Sequence, residues 1–484
     1  MRSFLSELRE LIEDSFTTVF KLFLICILII RYGPLFGIPC FVLSFSCYRI
    51  LIYRWFKLIP LSPSDVCFLS NSNYERYNII GILKISSFNS EEIKQMIIEK
   101  AIKQLKRMRL ILTYNIFNYY WKEISVTKAS KAVSIIENEI EDKDINKYIE
   151  SELHQYIDIR ESPPYEIKII KIKNQDKGVV LFKFDHILSD GLGIISLMCS
   201  LDDNYNAELF PKIMKLNSQY ELSYLGIILH YLAFIIYGPY SMFVMFFQNA
   251  GKTPFKSTKS SEEEFTIGIG KEHSLLQFNK IRKDKNLSFN QAIMSILSNV
   301  CYDICNNEKE MNKSQIKYIK CMIPVCRKPV PSSISKIKLS NEANFIYVNL
   351  PLINYKNKEE VSTLSSNLQN TLSNTYLNFA YLTWPSIISH FISFRVINIF
   401  SYFYFRNVDL IVSNIPGPTR EIKYNGSQIE SLYPVITPGK GVPFICVTSY
   451  NNKFVVTISI SKKLPLDSKK IINQIEQKII DFFH

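Results

Sequence analysis

The fold is decided by the seven residues at positions 185–191, which read DHILSDG. Apolar residues alternate from Tyr165 to Lys173 and again from Val179 to Phe184, on either side of a turn at 174–178, and this pattern predicts a β-hairpin. Beyond the seven residues, apolar side chains recur at helical spacing from Gly191 to Leu201. The stretch is therefore expected to join the end of a strand to the start of a helix.

His186 is the residue of this stretch that can perform chemistry. An imidazole, whose ordinary pKa lies near neutrality, can take a proton from a hydroxyl while the oxygen attacks a carbonyl group. Asp190 could either orient His186 or brace the loop, and the spacing favours bracing because the two side chains point differently across a turn. Gly191 permits the tight turn, since it has no side chain. The alternative is that His186 is a packed histidine without a chemical role.

Composition limits the classes of function. The 484 residues are 47% hydrophobic and 21% charged, as in a folded protein, and 57 Lys and Arg against 44 Asp and Glu give a net charge of +13. Such a charge suits nucleic acid, an anionic membrane or a phosphate-rich substrate. The lysines are scattered rather than clustered, so we do not expect nucleic-acid binding. The ten cysteines form no CxxC pair, so neither disulfides nor a metal site is expected, and the chain is expected to face the cytosol.

Three apolar stretches predict membrane contact. Phe16 to Phe56 is expected to be a retained anchor, either one span or a re-entrant hairpin broken near Gly33-Pro34. Leu222 to Gly251 has no charged residue, and Leu377 to Phe394 is a weaker apolar stretch. Buried core helices are the alternative for each. Basic residues follow the first stretch directly, which places the later chain in the cytosol.

Periodicity divides the chain into four parts, which are residues 1–58, 59–215, 216–264 and 265–484. The first part and the third contain apolar membrane segments, and the third ends in a polar linker. The second part and the fourth have the pattern of α/β units. Strands are expected at 79–85, 318–325, 345–350, near 410 and within 444–461. Helices are expected at 91–110, 273–283, 289–305, 358–374 and 468–483.

Several separate pieces resemble one known family in the same order. They are Leu61–Leu69 (LSPSDVCFL), the DHILSDG stretch, Asn290-Gln291, Pro324–Arg327 (PVCR), Asn344–Pro351, and Ser413–Pro418 (SNIPGP). Together they resemble the wax ester synthase/diacylglycerol acyltransferase family of the CoA-dependent acyltransferase superfamily, over residues 60 to 480. Asp185 stands where the family has the first histidine of a pair, and Gln291 stands where it has an aspartate.

The resemblance implies an α/β (α+β) fold with two chloramphenicol-acetyltransferase-like halves. The halves would be related by a pseudo-two-fold axis and would have a tunnel between them, and the N-terminal membrane anchor would precede them in the chain. Residues 59–215 would be the N-terminal acyltransferase domain and 265–484 the C-terminal one. His186 would be the general base, and Asn290 either the oxyanion donor or an ordinary helix N-cap. Substrate or interface positions would be Asp185, Gln291, Asn414, Pro416, Gly417 and Pro418.

The implied activity is transfer of a fatty acyl group from acyl-CoA, as co-substrate, to a long-chain alcohol or to diacylglycerol, with no cofactor and no metal. A related acyltransferase with another acceptor is a second hypothesis. A weakened family member that binds lipid or acts as a membrane scaffold is the third. The expected location is the endoplasmic reticulum membrane, with the plasma membrane as the alternative and the catalytic domains in the cytosol. The sequence does not indicate an oligomeric state.

Overall fold

The computed structural model describes residues 20–66, 68–69, 77–206, 253–256, 264–307, 318–325, 333–342, 344–352 and 407–483, apart from a few positions inside these ranges, together with some isolated residues. The apolar stretches predicted at 222–251 and 377–394, and the helix predicted at 358–374, lie almost wholly outside the described residues. Below, strands are numbered β1 to β16 and helices α1 to α9 in chain order.

In the described part of the chain, six strands form one sheet around the predicted hairpin. In spatial order they are β13 (Lys423–Tyr424), β14 (Ser427–Ile436), β2 (Asn78–Ser86), β7 (Lys177–Asp185), β6 (Tyr165–Ile172) and β5 (Val133–Ile140). β6 and β7 pair antiparallel with Tyr165 opposite Phe184, which confirms the hairpin. The central strands are buried on both faces, and they accordingly consist largely of Ile, Val and Phe. Both hairpin strands thus lie inside the sheet, with β2 beside β7 and β5 beside β6.

Strand β14 enters this sheet from the far end of the sequence. It pairs antiparallel with β2 from Ile436 opposite Ile79 to Ile429 opposite Ile85. Sequence periodicity did not predict β14, because its partner lies more than 300 residues away in the chain. The first sheet is therefore completed by residues of the C-terminal part.

A second sheet contains seven of the described strands. In spatial order they are β11 (Asn344–Pro351), β10 (Tyr318–Val325), β12 (Leu410–Pro416), β15 (Phe444–Tyr450), β16 (Lys453–Ser461) and β8 (Phe265–Ile269), and β9 (His273–Ser274) also pairs with β16. β12 lies parallel to both β10 and β15, whereas the outer pairs are antiparallel. The strands predicted at 318–325, 345–350, near 410 and within 444–461 are confirmed.

The helices flank the two sheets. They are α3 (Ser90–Ile97), α4 (Val126–Ser130), α5 (Ile145–His154), α6 (Gly191–Ser200), α7 (Leu275–Asp284), α8 (Phe289–Asn307) and α9 (Ser468–Phe483). The helix predicted at 91–110 was wrong in its second half, because a π-helical turn at Ile98–Ile102 and a 3₁₀ turn at Lys106–Arg109 follow α3. Leu105 between these turns has extended backbone, which ends the helix. The helix predicted from His273 begins at Leu275, since Ser274 caps it by accepting the Gln277 amide.

The N-terminal part consists of α1 (Pro34–Phe56), β1 (Ile59–Pro60), α2 (Pro63–Val66), β3 (Leu110–Asn115) and β4 (Asn118–Glu123). The three strands form a small sheet in the order β1-β4-β3. α1 begins after Gly33, whose positive φ of 73° marks the predicted break. It packs on the small sheet through Tyr48 and Ile52 against Tyr120. Of the helices formed by the described residues, none is both long enough and apolar enough to cross a bilayer.

The two large sheets share a hydrophobic core. One cluster contains Ile80 and Leu181 from the first sheet, Ile149 from α5, and Phe265 and Val455 from the second sheet. This packing brings the end of β7 close to the C-terminal part of the chain. Residues from both parts therefore meet at the loop that follows β7.

Candidate active site

His186 is the first residue after β7, and the loop Asp185–Gly191 leads from that strand into α6. The His186 amide donates to the carbonyl oxygen of Tyr77 at 2.7 Å, which continues the pairing of β7 with the segment preceding β2. The Leu188 amide donates to the Asp185 carbonyl at 3.0 Å and closes the turn. A rigid strand end thus holds the imidazole on a short, tightly bonded loop.

Two side chains position the His186 ring. Its Nδ1 lies 3.1 Å from Oδ1 of Asn341, and Nδ2 of Asn341 donates to the carbonyl oxygen of His186 itself at 2.9 Å. The ring of Phe68 stacks on the imidazole with a centroid separation of 3.9 Å and an angle of 11° between the planes. Asn341 belongs to the C-terminal part of the chain and Phe68 to the N-terminal part. The ring is therefore held in place by residues from both the N-terminal and the C-terminal parts of the chain.

Asp65 and Arg107 lie behind Asn341. Oδ1 of Asp65 accepts from Asn341 Nδ2 at 3.1 Å, and Oδ2 pairs with Nη2 of Arg107 at 2.8 Å. Arg107 also donates to the carbonyl oxygens of Ile187 and Leu188, and its guanidinium lies 4.3 Å from the ring centroid of Trp121. The Asp65 side chain is 2% exposed, so this is a buried ion pair with its hydrogen bonds satisfied.

The stretch Leu61–Leu69 forms the short turn of helix that aims Asp65. Ser62 and Asp65 form a reciprocal capping box, in which the Asp65 amide donates to Ser62 Oγ at 3.1 Å and the Ser62 amide donates to Asp65 Oδ2 at 3.3 Å. Pro63 occupies the first helical position, where a missing N–H is tolerated. The short helix brings Asp65 to the loop, and the turn that follows it brings Phe68.

Asp190 caps α6 and braces the loop against the C-terminal part. Its Oδ1 accepts the Gly193 amide at 2.9 Å, and its Oδ2 accepts the Glu342 amide at 2.8 Å. Gly191 has no positive φ, so the turn itself does not require glycine. A Cβ at Gly191 would lie 2.8 Å from Cδ1 of Ile415 on β12, so the glycine allows this strand to approach the loop closely.

Asp185, which replaces a histidine of the family pattern, is a buried carboxyl group. One of its oxygens accepts the Ile187 amide at 2.9 Å within the loop. Burial raises the pKa of Asp185 to about 7, and the hydrogen bond from the Ile187 amide, which lowers the pKa, offsets only part of this rise. The residue therefore supports the turn from inside the protein and is protonated in part at neutral pH.

Asn290 and Gln291 lie in the first turn of α8. Oδ1 of Asn290 accepts from Nδ2 of Asn414 at 2.8 Å. Gln291 forms a capping box with Ser288, whose amide donates to Gln291 Oε1 at 2.7 Å. The N-cap alternative for Asn290 was wrong, because Ser288 is the N-cap. The structure joins Asn290 to Asn414 of β12 and Gln291 to its own helix.

The segment Pro416–Pro418 shapes the end of β12. The Gly417 amide donates to Ser449 Oγ at 3.3 Å, and a Cβ at Gly417 would clash with the backbone oxygen of Ser449. The Asn451 amide donates to the Pro418 carbonyl at 2.9 Å. These residues fix the backbone where β12 and β15 end side by side, and β12 is the strand whose Ile415 contacts Gly191.

Sequence reasoning did not identify Asp65, Phe68, Arg107 or Asn341 as site residues. Asp65 and Phe68 could have been found, since both lie in the LSPSDVCFL piece that carries the family resemblance. Arg107 and Asn341 gave no local signal, because their hydrogen-bond and ion-pair partners lie 42 to 276 positions away in the chain. Within the described ranges, no group of three or more His, Cys, Asp or Glu side chains is arranged to hold a metal ion.

Comparison with known proteins agrees with this architecture. Residues 339–481, which include Asn341, match the family model described as the WS/DGAT C-terminal domain. "Wax ester synthase/diacylglycerol acyltransferase 9" of Arabidopsis thaliana is 20% identical over an alignment of 404 residues, and the match covers 74% of this chain and 82% of that protein.

Solved structures share the fold at low sequence identity. The wax ester synthase/diacylglycerol acyltransferase from Marinobacter aquaeolei VT8 matches with a TM-score of 0.58 and 15% identity, over 87% of this chain and 98% of that one. A trichothecene 15-O-acetyltransferase from Fusarium sporotrichioides matches with a TM-score of 0.61 and 11% identity, over 87% and 93%. The starter condensation domain of rhizomide synthetase, solved with C8-CoA, matches with a TM-score of 0.58 and 12% identity, over 88% and 94%.

Proposed function

We propose that this chain, as a member of the wax ester synthase/diacylglycerol acyltransferase family, is an acyl-CoA-dependent acyltransferase. In the proposed reaction it transfers a fatty acyl group from acyl-CoA to the hydroxyl of a long-chain alcohol, of diacylglycerol, or of both. The observation that carries this proposal is the placement of His186. Its ring stands at the end of a buried strand, held by Phe68 and Asn341, where elements of both sheets meet. A general base needs such a fixed position to act on a bound hydroxyl.

In the proposed reaction, His186 removes the proton of the acceptor hydroxyl as its oxygen forms a bond to the thioester carbonyl carbon. The carbon–sulfur bond then breaks, and the imidazolium returns the proton to the CoA sulfur. The ester and free CoA are the products. The positioned base accounts for roughly 10²- to 10⁴-fold of the rate in such steps.

The proposal includes a membrane as the source of the acceptor. α1 exposes large apolar side chains, and the exposed fractions are 70% for Phe36, 65% for Leu43 and 76% for Trp55. These apolar side chains, with the basic residue Arg54 in the last turn of the helix, suit the boundary between acyl chains and anionic headgroups. The catalytic part would then face the cytosol at the endoplasmic reticulum, or alternatively at the plasma membrane.

The membrane part of the proposal has its own experiment. The full-length protein is floated with vesicles of phosphatidylcholine and phosphatidylserine, as wild type and as Leu43→Asp. Ile480→Asp on α9 is the matched control, because Ile480 is also an exposed apolar residue, at 43%. Weaker flotation of Leu43→Asp alone supports docking through α1. Equal flotation of all three proteins contradicts it.

The catalytic part is tested with labelled acyl-CoA and either hexadecanol or diacylglycerol, using microsomes that contain the wild type, His186→Ala or His273→Ala. His273 is the control because it lies on β9, where its Nε2 is 2.6 Å from Glu476. Loss of at least 100-fold in ester formation by His186→Ala alone is the expected result. Equal ester formation by all three proteins would contradict the base assignment.

A second candidate function is lipid binding or scaffolding at the membrane by a weakened family member. The observation that favours it is Asp185, which stands in place of the first histidine of the family pair and is buried as a carboxyl group. Absence of ester from the wild type with both acceptors, combined with intact flotation, would favour this candidate.

A further inference from the structure

The described residues contain a chain of polar contacts that runs from Arg107 through Asp65 and Asn341 to His186. We propose that Asn341 is a positioning residue that fixes the tautomer of His186, keeping the proton on Nδ1 and leaving Nε2 as the basic nitrogen. The inference rests on the proposed function, in which His186 is the base. It adds a residue of the C-terminal part to the machinery around the loop.

The orientation of the Asn341 amide follows from its surroundings. Its nitrogen lies 2.9 Å from the carbonyl oxygen of His186, 3.3 Å from that of Ile187, and 3.1 Å from Oδ1 of Asp65. Carbonyl oxygens only accept hydrogen bonds, so the NH₂ group of the amide must face them. The remaining amide atom, Oδ1, therefore faces the imidazole.

The tautomer of His186 follows from that orientation. Oδ1 of Asn341 is an acceptor and lies 3.1 Å from Nδ1 of His186. Two acceptors cannot share a hydrogen bond, so Nδ1 must carry the proton. In the neutral ring the basic lone pair is then on Nε2, which is the nitrogen that accepts the hydroxyl proton.

The ion pair behind Asn341 holds the amide in this orientation. Asp65 is buried and its second oxygen pairs with Arg107, which also binds the carbonyl oxygens of the loop. A flipped amide would turn its oxygen toward the Asp65 carboxylate and two carbonyl oxygens at once. The capping box that aims Asp65 thus acts on His186 through Asn341.

The main experiment compares wild type, Asn341→Ala and Asn78→Ala. Asn78 is the matched control, since it is a buried asparagine whose Nδ2 donates to two backbone carbonyls, those of Leu153 and Gln155. In protein with ¹⁵N-labelled histidine, the ring signals of His186 are identified by their absence in His186→Ala. Protonated and bare ring nitrogens have well-separated ¹⁵N shifts, so the spectrum reports the tautomer directly.

The expected spectrum has Nδ1 protonated in the wild type and in Asn78→Ala, and a mixture of tautomers in Asn341→Ala. In the ester assay, Asn341→Ala is expected to lower kcat by about ten- to hundred-fold with little change in the KM for acyl-CoA, because the ring is misplaced but the substrate contacts remain. A protonated Nε2 in the wild type, or an unchanged His186 spectrum in Asn341→Ala, would overturn the inference.

A rescue separates positioning from a purely structural effect. Asn341→Asp alone places two carboxylates side by side, whereas Asn341→Asp with Asp65→Asn exchanges the donor and the acceptor between the two positions. The double variant can still accept from Nδ1 but can no longer donate to the carbonyl oxygens of His186 and Ile187, so it is expected to recover part of the kcat lost in Asn341→Asp. Failure of the double variant to recover any activity, while remaining folded, would count against the inference.

Failure of the base assignment and failure of the assignment of Asn341 give different results. If His186→Ala forms ester as fast as the wild type, the base assignment is wrong, yet the ¹⁵N spectrum still tests the tautomer. If His186→Ala is inactive and the spectrum of Asn341→Ala matches the wild type, the base assignment holds and the assignment of Asn341 is wrong.

Discussion

Replacing Asp185 by asparagine should stabilise the protein increasingly as the pH rises. Burial raises the pKa of Asp185 from its ordinary value of 3.8 to about 7. Below pH 3.8 the carboxyl group is protonated in both the native and the unfolded chain. Between pH 3.8 and 7 the unfolded chain loses the proton and the native protein retains it, so stability falls by about 1.4 kcal/mol for each pH unit. Above pH 7 both states are ionised and the loss is constant.

The size of the effect follows from these two pKa values. The full loss over the interval from 3.8 to about 7 is about 4 kcal/mol, and about 2 to 3 kcal/mol of it falls between pH 5 and pH 8. Asparagine has nearly the same shape, carries no charge, and can still accept the hydrogen bond from the Ile187 amide. The advantage of Asp185→Asn over the wild type should therefore grow by about 2 to 3 kcal/mol from pH 5 to pH 8.

The measurement is urea unfolding of the two proteins in mild detergent at pH 5, 6, 7 and 8, followed by tryptophan fluorescence. Asp176→Asn is the matched control, because Asp176 is an exposed aspartate in the turn between β6 and β7 and keeps its contact with water in both states. The difference in stability between Asp176→Asn and the wild type should change less between pH 5 and pH 8 than the difference between Asp185→Asn and the wild type. If the difference between Asp185→Asn and the wild type is the same at pH 5 and pH 8, Asp185 is not a neutralised buried acid and the reasoning is refuted.

Three further predictions concern the brace around the loop. Asp190→Ala should lower the free energy of unfolding by about 2 kcal/mol, because α6 loses its N-cap and the Glu342 amide loses its acceptor; unchanged urea unfolding would contradict this. Gly191→Ala should cost about 1 to 3 kcal/mol, since the new methyl group meets the movable end of Ile415, and adding Ile415→Val should recover part of it; additive losses in the double variant would refute the contact. Gly417→Ala should reduce thermal stability more than Gly191→Ala, because its methyl group meets fixed backbone at Ser449, and the reverse order of melting temperatures would contradict that assignment.

Local sequence patterns predicted the parts of the fold that depend on neighbouring residues. The hairpin of β6 and β7 and the helix α6 were both predicted, because alternation and helical spacing act over a few positions. The helix predicted at 91–110 was too long, since periodicity does not reveal a π-helical turn that shifts the phase by one residue.

The sequence by itself identified His186 and the order of the family's motifs, because those residues are close together in the chain and carry recognisable chemistry. Only the tertiary structure placed Asn341 against Nδ1 of His186, added β14 to the first sheet, and joined Asn290 to Asn414. The physical reason is that hydrogen bonds and strand pairings between distant residues depend on how the whole chain packs. A buried amide such as Asn341 leaves no periodic signal, and its function is set by the acceptors that the fold arranges around it.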